Sequence, residues 1–385
     1  MINILRFIIP VILLITQTAC SQPPVFDQEL IVNKDVFNNI NPAKDSIINF
    51  MAEYHRRIFK DWTYSGVHWT KESKALYKYP DYMLKQEFAG HDWNKIKPNL
   101  IAIFHPDTNY YLAQVGYSYF DTITKNTHPF CVYTFAITKQ NDSLKFFPVI
   151  ETYAFKKYEN KSIALYVKDE SQDYTYLLDS LQTYNLKLAK LFEISPIKFA
   201  CYKFTNFDEL NTSIGLDVQR NNARSENNAY CDMLNKVIYG TTINCYFHEV
   251  VHMYVGNDYV ETCHSWINEG LATYLGGSGL TLDQHLHYLA IDLKKHTEYD
   301  LSNFLEYEHK HIDHTTKVIW TSYKFTLGGL MSKLVYETKG MSGLKRLLSN
   351  GSNDEQLYQT VCKELNIKRK DLNEFLRREV YKYLN

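Results

Sequence analysis

Two histidines four residues apart constrain this chain more than any other feature of its sequence. His248 and His252 enclose Glu249-Val250-Val251. On an α-helix, four residues advance by roughly 400°, so the two imidazoles lie one above the other, about 40° apart. Both can therefore reach one metal ion. Glu249 flanks the same groove, where it is well placed to take a proton from a water molecule on that ion.

A third metal ligand is predicted shortly after this pair. Sixteen residues separate His252 from Glu269, which lies in the run Trp266–Tyr274, a pattern typical of a second helix packed beside the first. Two histidines and one glutamate, with water in the fourth position, form a catalytic zinc set. Zinc would lower the pKa of that water to about 7 and polarise a peptide carbonyl. We therefore expect one zinc ion per chain, held by His248, His252 and Glu269.

The segment from residue 248 to residue 274 resembles the gluzincin branch of zinc metallopeptidases, especially its peptidase MA-like and aminopeptidase-N-like members. Their pattern is HExxH, then Gly-Asn, then W-[LI]-N-E-G-[FL]-A. This chain matches it with the HExxH at His248, with Gly256-Asn257 and with Trp266–Ala272. The connection to the glutamate is a little shorter than in the aminopeptidases. No GxMEN-type segment, which anchors the free amine of an aminopeptidase substrate, is found in the sequence.

The resemblance implies that His248, His252 and Glu269 are zinc ligands and that Glu249 is the general base. It implies a zinc-dependent metallopeptidase, more of the endopeptidase than of the aminopeptidase type, whose partner is a peptide or protein substrate. Residues of the matching segment do not name that substrate. Specificity depends on pocket shape and loops that spacing does not encode.

Other interpretations of the motif stay open. A short motif of this kind also arises by chance, as a surface helix with two solvated histidines. A second possibility is an intact site that binds metal without cleaving anything. A third is a non-catalytic envelope lipoprotein that keeps a peptidase-like fold for binding. The enzyme is favoured because Glu249 is present: a degenerate member would lose this base first, since metal binding does not need it.

Residues 1–19 have the pattern of a signal peptide. Phe7–Ile15 is an apolar core of nine residues, too short for a membrane-spanning helix, which needs roughly 20. Small residues before Cys20 resemble a bacterial lipoprotein signal, so we expect cleavage before Cys20 and lipid attachment to it. Several acyl chains would anchor the exported protein in the cell envelope. Gln17 replaces the usual aliphatic residue, so plain secretion stays open, as does a short buried helix.

Composition agrees with a folded exported protein and argues against a disordered or a nucleic-acid-binding one. The chain has 385 residues, which suggests two domains, and 45% hydrophobic with 22% charged residues does not indicate disorder. The net charge is −1, and there is no basic stripe, so nucleic acid is not an expected partner. Past the signal segment, no stretch is long and apolar enough to cross a bilayer. Nothing in the sequence indicates an oligomeric state.

Six cysteines follow Cys20, at positions 131, 201, 231, 245, 263 and 362. An even number in an exported chain permits disulfides, and six cysteines allow 15 full pairings. A bridge between Cys245 and Cys263 would brace the metal site from both sides. Buried free thiols are the alternative.

The first domain is predicted at residues 20–160, as an α+β unit made of one helix and an antiparallel sheet. Helical spacing from Asp45 on predicts an amphipathic helix of about 17 residues. Its apolar face is formed by Ile47, Met51, Tyr54, Ile58 and Trp62. Aromatic and β-branched residues predict strands at Tyr111–Phe120, Cys131–Thr138 and Leu144–Phe155, with a turn at Gln140-Asn141-Asp142. The arrangement is similar to the cone-shaped NTF2-like fold.

The second domain is predicted at residues 161–385, as a zincin-like catalytic domain with a helical C-terminal lobe. Strands are predicted at Ser162–Val167 and Ile197–Phe204, with a helix at Tyr174–Phe192 between them. We expect Lys236–Tyr239 to be the sheet edge that pairs with an extended substrate. Helical periodicity is predicted at Asp283–His296, Leu301–Glu308, Val318–Thr338, Ser342–Leu348, Glu355–Leu365 and Leu372–Leu384. Gly328-Gly329 should interrupt the longest helix and permit close packing.

Two further features of this lobe need interpretation. The segment Tyr323–Leu348 is similar to the helix that carries an oxyanion-binding tyrosine in aminopeptidase-like relatives, which makes Tyr323 the candidate donor. An ordinary core tyrosine is the alternative. His309, His311 and His314 cluster around Asp313, but their spacing fits neither one helix face nor one strand face. A solvated loop is favoured there over a second metal site.

Overall fold

The structure is a computed structural model that describes residues 30–33, 36, 43–60, 66–88, 92–121, 123–168, 172–219, 229–241, 243–308, 310–312, 321–349 and 353–384. The described chain is a mixed α+β structure built on two β-sheets, as the sequence predicts at the level of fold class. The predicted signal segment and Cys20 lie outside the described residues. None of the described helices combines the length and the apolar character needed to span a bilayer.

The first sheet is an antiparallel meander to which two short strands are added, the one that comes first and the one that comes last in the sequence. Its strands are β1 (Ile31–Val32), β2 (Ile96–Asp107), β3 (Tyr110–Phe120), β4 (Thr127–Gln140), β5 (Ser143–Phe147) and β9 (Leu216–Gln219). They run in the order β1-β2-β3-β4-β5, and β9 also pairs with β4. Asn141 and Asp142 have φ of +49° and +60°, which is the backbone of the tight hairpin turn that the sequence predicts here.

One long helix covers this sheet. The helix α1 (Lys44–Lys60) has 17 residues and buries Ile47, Met51, Tyr54 and Ile58, so the amphipathic helix predicted from Asp45 is confirmed; Trp62 lies outside the described residues. Two shorter helices, α2 (Lys71–Leu76) and α3 (Tyr82–Glu87), complete the layer. The first sheet, α1–α3 and the described residues between these helices are called the N-terminal unit below.

The second sheet contains five strands, of which the middle three are parallel. In spatial order they are β10 (Ala229–Asp232), β11 (Val237–Gly240), β8 (Phe199–Lys203), β7 (Ile163–Val167) and β6 (Lys156–Glu159). The helix α4 (Thr175–Phe192) crosses between β7 and β8, as predicted, and α5 (Phe207–Ser213) follows β8. Alternate side chains of the sheet join two different cores: Leu165 and Ile238 pack with the C-terminal helices, whereas Tyr202 and Tyr239 pack with the N-terminal unit.

The predicted edge strand requires correction. Val237–Gly240 lies between β10 and β8, so the segment predicted as the free edge is an interior strand. Among the described strands, β10 is the edge strand on this side of the sheet and pairs antiparallel with β11. Sequence reasoning missed β10 because it has only four residues and follows a polar run that hides its pattern.

The remaining chain is helical. After α6 (Ile243–Asp258) and α7 (Ser265–Gly276) come α8 (Leu282–Lys295), α9 (Tyr323–Ser349), α10 (Asp354–Leu365) and α11 (Leu372–Tyr381). The predicted helix at Leu301–Glu308 is a 3-10 helix over Leu301–Tyr307. Gly328-Gly329 does not interrupt α9; the break is at Gly340, with φ of +62°. The close packing is confirmed, because a Cβ on Gly328 would lie 2.1 Å from the Trp266 carbonyl oxygen of α7.

The predicted boundary at residues 160 and 161 falls in the turn between β6 and β7, and both strands belong to the second sheet. The chain then returns to the first sheet at β9, which pairs with Cys131–Tyr133 of β4. The two sheets are therefore not separated cleanly along the sequence. This return to the first sheet comes shortly before the predicted site in the chain, because β10, β11 and α6 are the next elements after β9.

Candidate metal centre

Two adjacent helices carry the predicted metal-binding residues. The helix α6 presents His248 and His252 one turn apart, with their ring centroids 4.8 Å from each other. The next helix, α7, presents Glu269. Trp266 on α7 is fully buried, and the His264 side chain accepts a hydrogen bond from its backbone N–H, which caps the start of α7. The cap and this buried ring fix the rotation of α7, so Glu269 faces α6.

The three side chains converge on one point. Glu269 Oε2 lies 3.2 Å from His248 Nε2 and 3.5 Å from His252 Nε2. The donor atoms of the three residues all lie within 4.8 Å of one another. The structure thus brings together the three residues that the sequence analysis proposed as ligands. This arrangement could hold one metal ion.

The far side of each imidazole is fixed by a carbonyl oxygen. His248 Nδ1 is 2.7 Å from the Gly277 carbonyl, and His252 Nδ1 is 2.9 Å from Asn268 Oδ1. A carbonyl oxygen can only accept, so each Nδ1 donates its proton outward and each Nε2 is the nitrogen that faces Glu269. Metal-ligating histidines in proteins commonly have this second hydrogen bond. Sequence reasoning assigned no role to Asn268 or Gly277, although Asn268 is part of the quoted Trp266–Ala272 pattern.

The charges of the cluster are strongly coupled. Burial would by itself lower the pKa of His252, but the Glu269 carboxylate outweighs burial and raises this pKa to about 9. Burial would raise the pKa of the Glu269 carboxyl, but the positive charge of His252 and the hydrogen bonds of both histidines hold it well below its ordinary value. The carboxylate therefore requires a positive charge beside it. A divalent cation between the three donors would supply the same compensation.

Glu249 lies beside the cluster without belonging to it. Burial raises the pKa of its carboxyl, and the nearby positive charges of His252 and His248 act in the opposite direction. Among the described residues, none donates a hydrogen bond to this carboxylate. Its electrostatic neighbours include Cys231 on the edge strand β10. The base candidate therefore interacts electrostatically both with the proposed ligands and with a residue of β10.

Tyr323, the predicted oxyanion donor, is hydrogen-bonded to a residue of α8. Its ring is fully buried, and its hydroxyl donates to Asp292 Oδ2 at 2.6 Å. Its aromatic neighbours are Tyr299 and Tyr307. These contacts anchor the start of α9 against α8, which is a structural role. The role of Tyr323 as an oxyanion donor stays a prediction. Two residues later on the same helix, the Phe325 ring lies with its centroid 6.1 Å from that of His248.

Two further predicted features are the Cys245–Cys263 disulfide and the histidine cluster of the C-terminal lobe. Cys263 is among the cysteines that the structure describes as free of disulfides, so the Cys245–Cys263 bridge is not formed. Of the histidine cluster in the C-terminal lobe, His309 and His314 lie outside the described residues. His311 pairs through its backbone with Ser322 in an isolated β-bridge.

No protein-family model matches this chain, and no curated protein matches it. The interpretation of the site therefore rests on its own residues and geometry.

Proposed function

We propose that this protein is a zinc-dependent peptide-bond hydrolase, more of the endopeptidase than of the aminopeptidase type. The observation that carries the proposal is the convergence of two imidazole Nε2 atoms and one carboxylate oxygen within 4.8 Å. The outward hydrogen bonds of both imidazoles support it, since they orient the lone pairs toward the common point. The proposed ligands are His248, His252 and Glu269.

The donor set favours zinc over other metals. Two imidazole nitrogens and one carboxylate suit zinc, whereas calcium and magnesium prefer oxygen ligands. Three protein ligands are the usual number in a catalytic zinc site. When bound, zinc would supply Lewis-acid polarisation of a peptide carbonyl and activation of a water molecule. The proposed stoichiometry is one ion per chain.

Glu249 is the proposed general base and acid. It follows His248 directly, so its carboxylate lies at the rim of the proposed metal position. Its raised pKa brings it toward the range in which a carboxylate can accept a proton and then release it. In this role Glu249 takes a proton from the attacking water and passes it to the leaving amine.

The edge strand β10 is the proposed contact for the substrate backbone. Among the described strands it pairs with β11 alone, and it packs against α6, the helix that carries Glu249. An extended peptide can add to such an edge through main-chain hydrogen bonds, independently of its sequence. This role fits an endopeptidase, which binds chain on both sides of the cleaved bond. We also propose a zincin-like fold for the second sheet and its helices and, separately, an NTF2-like fold for the N-terminal unit, supported by its one long helix over an antiparallel sheet.

We propose further that the protein is exported and anchored in the bacterial envelope through a lipidated Cys20. The support is the apolar segment of residues 7–15 and the small residues before Cys20. Radiolabelled palmitate should label the wild-type protein in bacterial cells and leave Cys20→Ser unlabelled. A secreted, unlabelled wild-type protein would favour plain secretion.

Hydrolysis of fluorescent casein by the zinc-loaded protein tests the enzymatic proposal. Glu249→Gln should lower turnover at least about 100-fold, because general acid–base catalysis contributes factors of this size, while the bound zinc stays the same. Asp258→Asn, an exposed carboxylate at the other end of α6, is the matched control and should keep full turnover. Equal turnover of Glu249→Gln and the parent would refute the role of Glu249. Zinc binding with no hydrolysis of any peptide would favour the non-catalytic binding protein.

A further inference from the structure

The edge strand β10 packs against α6, which carries two of the proposed metal ligands, and its Tyr230 packs on the core of the N-terminal unit. Cys231 is opposite Ile238 in the register, which places it on the face that packs toward α6. In the turn after β10, Met233 packs so tightly on α6 that a Cβ on Gly256 would lie 2.9 Å from Met233 Cβ. A displacement of β10 would therefore be passed to α6, the helix that carries His248 and His252.

One side chain connects this turn to the N-terminal unit. Asn235 Oδ1 accepts a hydrogen bond from the Tyr79 backbone N–H at 2.8 Å, and Asn235 Nδ2 donates to the Tyr79 carbonyl, also at 2.8 Å. The two residues are 156 positions apart. A primary amide that satisfies both polar groups of one residue in this way imitates a paired β-strand. The contact is therefore directional and specific, unlike apolar packing.

The same amide is tied to the end of β10. Asn235 Nδ2 also donates to Asp232 Oδ2 at 2.6 Å, and the Asn235 backbone N–H donates to Asp232 Oδ1 at 2.9 Å. Asp232 is the last residue of β10 and is only 2% exposed. A displacement of Asn235 would thus be transmitted directly to the strand.

On the other side, the Tyr79 segment is itself held rigidly. Asp81, two residues later, is buried and forms an ion pair with Lys85 at 3.1 Å. The Tyr54 hydroxyl of α1 also donates to Asp81 at 3.4 Å. A chain of polar contacts therefore runs from α1 through the Tyr79 segment and Asn235 to β10.

Side-chain packing alone does not fix this junction. A cavity of about 30 Å³ adjoins Asp232, Asn235 and Tyr239 and is lined on the opposite side by aromatic residues of the N-terminal unit, including Trp69. This space is large enough for one or two water molecules. Since the interface is incompletely filled here, the hydrogen bonds of Asn235 determine where the turn lies.

We propose that Asn235 is a positioning residue. Through it, the N-terminal unit holds β10 in a fixed position relative to α6, so that an extended peptide can pair with β10 beside the proposed metal ligands. That the ligand is a peptide rests on the proposed function, whereas the claim that Asn235 fixes the position of β10 (the mechanical part of the proposal) does not. The N-terminal unit is then part of the substrate-binding apparatus. Asn235 acts through β10 and makes no contact with the reacting atoms.

Hydrogen exchange of the full chain, read by mass spectrometry, tests the mechanical part. In Asn235→Ala, the amides of β10 that bond β11 should exchange about tenfold faster, because the three side-chain hydrogen bonds of Asn235, two to Tyr79 and one to Asp232, are lost. Exchange in α6 and α7 should stay unchanged. The matched control is Asn160→Ala at the opposite edge of the same sheet, where Asn160 Oδ1 accepts only from the N–H groups of residues 162 and 163. This control should leave β10 unchanged.

Unaltered exchange of β10 in Asn235→Ala would overturn the proposal, as would an equal effect of Asn160→Ala. If Asn235→Ala does not fold, Asn235→Asp replaces it. That variant keeps the size and one acceptor but places a second carboxylate against Asp232, so β10 should again exchange faster than in the parent.

Casein hydrolysis by the zinc-loaded full chain gives the second readout. Asn235→Ala should raise KM at least about fivefold and leave kcat within about twofold, since the peptide site is displaced while the catalytic residues are not. A fall in kcat with unchanged KM would contradict a positioning role. If the parent cleaves no casein, the proposed function fails, and hydrogen exchange alone decides whether Asn235 positions β10.

Discussion

Two groups of buried histidines among the described residues differ in what surrounds them. In the N-terminal unit, His55 Nδ1 is 2.7 Å from the Met51 carbonyl, and its Nε2 is 2.8 Å from the Tyr117 hydroxyl. Both nitrogens are thus satisfied by neutral groups of the protein. At the candidate metal centre, each imidazole has one nitrogen satisfied by a carbonyl, and the other is directed at the Glu269 carboxylate.

The two groups also differ in charge. Burial lowers the pKa of His55 to about 4, so this imidazole is neutral in the core. The carboxylate of Glu269 overcomes burial at His252 and raises its pKa to about 9. Burial of a histidine is therefore not by itself a sign of a functional site. The more informative feature is that two imidazole nitrogens converge on a carboxylate oxygen whose negative charge needs a positive charge beside it.

The helices of the metal centre and the first sheet also differ in how tightly their glycines are packed. This difference gives the largest predicted effect on the free energy of unfolding. A Cβ on Gly270 of α7 would lie 2.1 Å from a backbone carbon of Gly328, whereas one on Gly116 of the first sheet would meet the end of the flexible Ile101 side chain at 2.8 Å. Gly270→Ala should lower the free energy of unfolding by about 3 kcal/mol or more. Gly116→Ala should change it by less than about 1 kcal/mol. Urea denaturation measures both, and equal effects would contradict the described contact between α7 and α9.

The hydrogen-bond partners of the histidines give the next effect. Asn268→Ala removes the acceptor that orients His252, and should weaken zinc binding about 10- to 100-fold. Tyr117→Phe is the matched control, because it removes the partner of His55 in the other group and should leave zinc affinity unchanged. Competition with a fluorescent zinc chelator measures both affinities. An equal loss in the two variants would mean that the effect reflects stability in general.

The neutral state of His55 predicts a smaller, pH-dependent effect. Its folded pKa of about 4 lies below the ordinary value of 6.5, so the unfolded chain binds the proton first as the pH falls. Stability is then lost as the pH falls from about 6.5 to about 4. Between pH 7 and pH 5 the zinc-free parent should lose about 1.5–2 kcal/mol more than His55→Gln. Identical pH profiles of the free energy of unfolding would show that His55 is not buried as a neutral group.

Regular periodicity made part of the fold predictable. The helices α1 and α4 and the strands β3, β4 and β7 are all long or strongly patterned, so apolar spacing identified them with small errors at their ends. Short elements such as β10 and α5 were missed, because four to seven residues carry too little pattern. The interior position of β11 also could not be read from its own residues, since the strand order depends on pairing with distant segments.

The candidate site shows the same division. His248, His252 and Glu269 were identifiable because helical spacing fixes the first two and a distinctive motif marks the third. The acceptors Asn268 and Gly277 were not, since second hydrogen bonds depend on how α6 and α7 pack in space. The role of Tyr323 is predicted from its register against a family pattern, and its hydrogen bond to Asp292 likewise depends on packing that the sequence does not show.

Zinc content per chain tests the central claim most directly. It should be measured by elemental mass spectrometry on folded protein comprising residues 21–385, beside Glu269→Gln, which keeps the size of the side chain but removes its charge. We predict about one zinc ion in the parent and a clear loss in the variant, because three protein ligands define the site. Folded parent protein that takes up no zinc even after metal is added would contradict the proposed centre and the hydrolase together.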